Sequence, residues 1–250
     1  YGNLADDVTD EVHPDVAEAA TLAARVVGLD IAGIDIVAED ISRPLEEQRG
    51  AIVEVNAGPG LLMHLKPAKG KPRPVGAAIV DGDRASVARL GVGNAIAQPY
   101  HHIILPLASR RDKVTEVRWG IRDFRRRFGR DPEGMWLPET AVDSETLEVL
   151  AQEGIRFTVL SPHHVTSPPP HGRPGRWRSG AHELAIFCYD GALAHDIAFS
   201  DVLRDTTGWH ARIAAMPMAD DGPTITSVAT DGETFGHHHR SGDLALAALL

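Results

Sequence analysis

With 250 residues, 43% hydrophobic and 24% charged, the chain has the composition of an ordinary folded protein, long enough for one large α/β domain or two smaller ones. A formal net charge of −10 argues against nucleic acid or an anionic membrane as a partner, since both reward concentrated Lys and Arg. No run approaches the roughly 18 apolar residues of a membrane span, no signal-peptide pattern opens the chain, and the single cysteine, Cys188, excludes an internal disulfide; a cytoplasmic location is the expectation.

In chain order, His13-Pro14 opens a helical pattern in which Val16, Ala19, Ala20, Ala23 and Val27 recur every three or four residues, with Gly28 as its stop. Residues 31–37 and 51–55 are short apolar runs that predict strands, and Gly58-Pro59-Gly60 forces a turn. Residues 66–73, rich in Lys, Pro and Gly, predict a loop. Residues 103–107 predict a strand. Val114, Val117, Ile121, Phe124 and Phe128 then mark one face of an amphipathic helix closed by Gly129. A strand over 134–137 ends at Pro138-Glu139, and Asp143 or Ser144 caps a helix with Leu147 and Leu150 on its core face and Gly154 as its stop. Residues 155–160, 184–189 and 225–230 predict three more strands, with Pro168, Pro169, Pro170 and Pro174 marking an exposed loop between two of them. Strands alternating with helices imply parallel βαβ units, an α/β fold and part of a barrel.

Composition divides the chain. Residues 1–82 hold 14 acidic and 7 basic residues, net −7, whereas residues 83–250 hold 21 and 18, net −3, together with 11 of the 13 histidines. A seam near residue 82 is the expectation, with one domain over 1–82 and another over 83–250. Arg125-Arg126-Arg127 shares its helical pattern with Asp123 and predicts a solvated face rather than a nucleic-acid patch. Cys188 lies in the apolar stretch 184–189 and predicts plain core packing.

Three carboxylates stand just after predicted strands: Glu139, Asp190 and Asp231. In parallel α/β proteins chemistry gathers at the C-terminal ends of strands. Two carboxylates facing each other there suit glycosidic bond cleavage, one protonated as acid and the other ionised as nucleophile or base. Spacing does not choose which two. Glu139 also fits a helix-start acid, and Asp231-Gly232 fits a turn. His237, His238 and His239 invite a metal reading, although neighbouring side chains on an irregular loop seldom converge on one ion. His101-His102 suits polar packing or cleft lining. In the first part, Glu54 and Asn56 alternate on a strand and share a face, and Asp35 lies beside them if the two strands pair. Such oxygen ligands suit Mg²⁺ holding nucleotide phosphates, although acidic residues alternating on the solvent face of a half-buried strand are commoner.

Larger blocks add to this. Gly93-Asn-Ala-Ile-Ala-Gln98, Gly134-Met-Trp-Leu-Pro-Glu-Thr140 and Ala229-Thr-Asp-Gly-Glu-Thr-Phe-Gly-His-His238 resemble glycoside hydrolase family 57 over about residues 88–250. The resemblance implies a retaining α-amylase, branching enzyme or 4-α-glucanotransferase on an incomplete seven-stranded β/α barrel, acting on an α-glucan or maltooligosaccharide without a cofactor. It makes Glu139 the nucleophile and Asp231 the general acid/base. It also places His237 and His238 along the sugar cleft, Trp136 as a stacking neighbour, and Asp190 and Glu233 as residues that hold the pair's orientation. Asp7-Val-Thr-Asp-Glu-Val-His-Pro14, Gly28-Leu-Asp-Ile-Ala-Gly-Ile-Asp35 and Ile52-Val-Glu-Val-Asn-Ala-Gly-Pro-Gly60 are similar to cyanophycin synthetases, at the end of their ATP-grasp domain, over about residues 1–81. That similarity implies an α+β fragment with Asp35, Glu54 and Asn56 as ligands of Mg²⁺ and ATP. Leu62 and Ala68 depart from the Arg and Ser expected there. Three readings are open: an α-glucan-active enzyme, an ATP-dependent amino-acid ligase, and a chimera without activity. The first is preferred of the two activities because both of its catalytic carboxylates are present.

Overall fold

The computed structural model describes residues 4–26, 31–56, 60–169, 172–216, 224–231, 234, 239 and 245. Its helices and mixed sheets make an α/β fold. Two compact units divide it, one of residues 1–79, 195–214 and 230–250, the other of residues 80–194 and 215–229.

In the first unit, helix α1 (Pro14–Val26) starts at the expected proline and buries Val16 against strands β1 (Gly33–Val37) and β2 (Ala51–Asn56). The expected stop at Gly28 and the turn at Gly58-Pro59 lie outside the described residues. The strands pair antiparallel, with Gly33 opposite Asn56 and Asp35 opposite Glu54, and a bulge comes after Asp35. Between them, buried Gln48 organises the connection: its amide donates to the carbonyls of Asp40 at 2.7 Å and Arg43 at 2.9 Å, and accepts from Asp40 N at 2.8 Å. A short helix α2 (Leu62–Leu65) precedes the loop expected over 66–73. Arg73 ties that loop down by a two-pronged contact with Asp7, Nε to Oδ1 at 3.0 Å and Nη2 to Oδ2 at 2.7 Å.

Helix α3 (Val75–Leu90) was not expected, and position 82, the predicted seam, lies in its middle. In the second unit, helix α4 (Arg110–Phe128) has the predicted face: Val117, Ile121 and Phe124 are buried, and Gly129 closes the helix at φ 70°. Ser109 caps its start by accepting from Asp112 N. Helix α5 (Ser144–Gln152) is capped by Asp143, whose Oδ1 accepts from Thr146 N at 2.7 Å; Leu147, Val149 and Leu150 are buried. Strands β3 (Phe157–Leu160), β4 (Gly175–Ser179) and β5 (His182–Cys188) form one sheet in the order β3-β5-β4, with β3 parallel and β4 antiparallel to β5. Helix α6 (Gly191–Phe199) comes after β5, and α7 (Thr206–Ala214) buries Trp209 in the first unit.

Three expected strands differ. Residues 103–107 form a 3-10 turn over Leu105–Leu107, because Pro106 has no N–H for a ladder; Leu105 still reaches the core. Residues 134–137 are extended but too short for a full strand before Pro138. They make single parallel bridges, Met135 to Ala97 and Gly134 to Phe157. Residues 225–230 form no strand: two hydrogen bonds, Ile225 N to Gly172 O at 3.1 Å and Asp190 N to Ser227 O at 2.7 Å, stand in place of a ladder.

The single bridges still impose a common direction. Ala97, the 134–137 segment, β3 and β5 all run the same way, so their C-terminal ends lie on one side. The segment is held from both flanks: Trp136 N donates to Ala97 O at 2.8 Å and Met135 N to Phe157 O at 3.1 Å. Thr158 Oγ1, fully buried, donates to Met135 O at 2.8 Å. Met135 and Leu137 are completely buried in a core shared with Val117, Phe124, Leu150, Leu160 and Leu184.

Candidate active site at the strand ends

The buried run Met135–Leu137 fixes where the chain emerges, and Pro138 ends it. Thr140 N then donates to Leu137 O at 2.9 Å and Ala141 N to Pro138 O at 3.0 Å, closing two overlapping turns. Glu139 takes φ 57°, ψ 16°, and Thr140 takes φ 50°. Two consecutive left-handed residues are normally the province of Asn-Gly or Gly-Gly. For Glu and β-branched Thr the left-handed region costs roughly 1–2 kcal/mol per residue. Such strain persists where the surroundings over-determine it, and those places cluster at functional sites. The consequence is that Glu139 is exposed at the end of a segment whose Met135 and Leu137 are fully buried, while Thr140, 6% exposed, points inward.

What surrounds this turn comes from the neighbouring strand ends. After β3, Ser161 accepts from His163 N at 3.3 Å through its hydroxyl and from His164 N at 3.0 Å through its carbonyl, shaping a 3-10 turn over Pro162–His164. His164 Nδ1 lies 3.2 Å from Thr140 Oγ1. After β5, Asp190 caps helix α6 by accepting from Leu193 N at 2.7 Å. A Cβ on Gly191 would sit 2.9 Å from Pro162 Cγ and 3.9 Å from His163 Nε2, so the ends of β3 and β5 touch. Beside the turn opens a groove of about 460 Å³ lined by Asp143, Ser144, His164, Arg176 and Trp177 among others.

The predicted site residues are therefore divided between the two units. Glu139 and Asp190 both lie in the second unit: Asp190 stands two residues after β5, and Glu139 two residues after the extended 134–137 segment, which makes isolated bridges and no full strand. Trp136 is half-buried three residues before Glu139. Asp190 has its carboxylate engaged as a helix cap. Asp231 belongs to the first unit; it is exposed, and its carbonyl accepts from Thr234 N at 3.0 Å. Thr230 and Thr234 hydroxyls meet at 3.1 Å, and His239 Nε2 meets Ala198 O at 2.9 Å. Glu233, His237 and His238 lie outside the described residues. Asp35 and Glu54 are register partners on β1 and β2, with Asn56 two residues further along β2.

Sequence reasoning missed several residues that build this region. Asp83 is 1% exposed, receives Arg130 Nε at 3.0 Å and Nη2 at 2.8 Å, and accepts from Ala95 N at 2.9 Å. The Arg130 guanidinium beside it holds its carboxyl below the usual carboxylate range. Arg130 also stacks 4.9 Å over Phe124. Gly93 is required there, since a Cβ would lie 2.1 Å from Arg130 Nη2. Lys113, 2% exposed along its side chain, binds Asp143 at 2.7 Å and Glu145 at 2.9 Å. Burial pulls its ammonium down, but the two carboxylates outweigh burial and hold it above its ordinary value. His101 Nδ1 meets buried Glu116 at 2.8 Å, in a turn against α4. Cys188 packs at the core margin, and burial pushes its thiol up. Arg125–Arg127 are exposed, with Arg127 paired to Asp123 at 2.6 Å. Among the described residues no helix is long and apolar enough to cross a membrane.

Comparison with known proteins divides the chain much as its motifs do. An 80-residue stretch is 52% identical to cyanophycin synthetase of Synechocystis sp., covering 32% of this chain and 9% of that protein. A 155-residue stretch is 23% identical to 4-α-glucanotransferase of Thermococcus litoralis, covering 60% of this chain and 23% of that protein. The fold resembles that of an exo-type maltose-forming amylase from Pyrococcus sp. ST04, with TM-score 0.54 and 13% identity over 65% of this chain and 29% of the other. The chain thus spans about a tenth of the cyanophycin synthetase and about a quarter of the glucanotransferase. The family model for glycosyl hydrolase family 57 matches residues 86–250. Through that stretch, which carries all three of the sequence blocks singled out for it, the chain belongs to glycosyl hydrolase family 57.

Proposed function

We propose that residues 86–250 carry a retaining glycoside hydrolase or transglycosylase site for α-glucans, built on part of a (β/α)7 barrel. The observation that supports it most is the presentation of Glu139: exposed, left-handed, and projected from a buried parallel segment whose end adjoins those of β3 and β5. In this reading Glu139 attacks the anomeric carbon while Asp231 protonates the departing oxygen, and Asp231 then deprotonates the water or sugar hydroxyl that releases the product. Trp136, His237 and His238 line the sugar cleft, Glu233 holds the orientation of the pair, and Asp190 keeps the end of β5 in place by capping α6. No cofactor enters the reaction, the substrate is an α-glucan or maltooligosaccharide, and the chain acts in the cytoplasm, with neither nucleic acid nor membrane as partner.

The test is Glu139→Gln, an isosteric change that removes the nucleophilic oxygen's charge. Release of reducing sugar, or transfer between maltoheptaose chains, is expected to fall by at least about a hundredfold, since covalent catalysis divides one hard step into two easier ones. Unchanged turnover would dismiss the assignment.

The 1–82 part supports a second reading. Asp35 lies opposite Glu54 in the β1-β2 ladder, and the similarity to cyanophycin synthetase is high over a comparable length. We propose that this part is the end of an ATP-grasp domain, with Asp35, Glu54 and Asn56 suited to Mg²⁺ and ATP. ATP-dependent phosphate release with Asp and Arg as acceptors would make the chain a ligase. Absence of both activities would mark the chain as a chimera of two inactive pieces.

A further inference from the structure

We infer that Thr140 and His164 form a positioning pair for Glu139, locking the left-handed turn that aims its carboxylate. The inference rests on the reading of Glu139 as nucleophile. The turn needs such a lock. Neither Glu nor Thr prefers positive φ, and the two closing hydrogen bonds, Thr140 N to Leu137 O and Ala141 N to Pro138 O, are backbone bonds available to any sequence. What is particular to this chain is that the side chain of buried Thr140 meets the imidazole of exposed His164, Oγ1 to Nδ1 at 3.2 Å. His164 is in turn fixed by its own turn after β3, where its N–H donates to the carbonyl of buried Ser161. The chain from β3 through Ser161, His164 and Thr140 ends at the backbone of Glu139. The contact forms with the Thr140 hydroxyl as donor or as acceptor, according to which ring nitrogen of His164 carries the proton.

This makes Thr140 and His164 positioning residues rather than catalytic ones. Nothing in their sequence spacing signals it, since they stand 24 residues apart on either side of α5 and β3.

The experiment is covalent trapping. A 5-fluoro-α-maltosyl fluoride, offered to the full chain, forms a Glu139 Oε–C1 bond as the C1–F bond breaks and fluoride leaves, and mass spectrometry locates the adduct. Wild type is expected to label at Glu139. Thr140→Val keeps the branched shape and loses the hydroxyl, so labelling slows by at least about tenfold, while Thr140→Ser restores it to within about twofold. His164→Phe behaves like Thr140→Val, and His164→Asn, whose amide can replace Nδ1 as either acceptor or donor, recovers part of the rate. Hydrogen exchange at the Thr140 and Ala141 amides is measured alongside, in the same variants, and needs no catalysis. It is expected to quicken in Thr140→Val and not in Thr140→Ser. Quickened exchange with no wild-type label refutes Glu139 as nucleophile and leaves the lock. Unchanged exchange and unchanged labelling in Thr140→Val overturn the positioning pair itself, as does a Ser variant as slow as the Val one.

Discussion

Asp83→Asn is the sharpest test of how the second unit is held together. Asp83 is 1% exposed and its carboxylate is saturated, by two guanidinium N–H groups and the Ala95 amide. Asparagine offers one acceptor in place of two and no charge, so Arg130 keeps its contact with Ala95 O at 2.9 Å but loses its counter-ion. Breaking a buried pair by removing one partner costs about 3–5 kcal/mol. Arg130 retains 22% side-chain exposure and can draw partial hydration, which puts the expected loss at the lower end, about 3 kcal/mol. Urea unfolding monitored by fluorescence of Trp119, Trp136 and Trp177 measures it. Replacing both partners, Asp83→Leu with Arg130→Met, is expected to cost less than either single change, because no charge is left stranded. A loss below about 1 kcal/mol in Asp83→Asn, the worth of an exposed pair, would refute the reasoning.

The same carboxylate sets a pH dependence. Its folded pKa lies below the unfolded value of about 3.9, so its contribution is complete above that value and disappears as pH falls through the folded pKa. Wild type therefore loses more stability than Asp83→Asn as pH falls from about 4 through the folded pKa, and equal acid limbs would contradict the shift. Gly120→Ala is expected to destabilise although it adds a better helix former to α4. The new Cβ would lie 2.0 Å from Gln98 O, a backbone atom that cannot swing aside. Overpacking of about 1–3 kcal/mol outweighs the roughly 1 kcal/mol of helix propensity, and a melting temperature at or above wild type would count against this.

The helices with regular caps and stripes were legible in the sequence: α1 behind Pro14, α4 with Gly129 beyond it, α5 behind Asp143. Helix α3 was not, because Pro72, Pro74, Gly76 and Gly82 look like loop chemistry, yet both prolines precede the helix and only the glycines lie inside it. Strand β4 was hidden for a different reason. Its sequence Gly-Arg-Trp-Arg-Ser is charged, and charge is what an antiparallel edge strand carries to stay unpaired on its outer side. The runs at 103–107 and 225–230 look like strands because apolar content marks burial, not pairing. At the candidate site, the placement of Asp190 after a strand could be read from pattern, and so could that of Glu139 after an extended buried-core segment, although that segment makes only isolated bridges. The left-handed turn could not, since Glu-Thr gives no Gly or Asn signal, and neither the Thr140–His164 contact nor the Asp83–Arg130 pair has a local signature.

Asp83 has one more consequence, for anyone wishing to excise the family 57 part. The family match begins at residue 86, three residues after it. A gene cut at that point would discard the counter-ion of Arg130 and the acceptor of the Ala95 amide while retaining everything that had been built around them. The boundary drawn by ancestry and the boundary drawn by electrostatics are therefore different places. A fragment that is to keep its own interior neutralised has to begin within α3, upstream of Asp83.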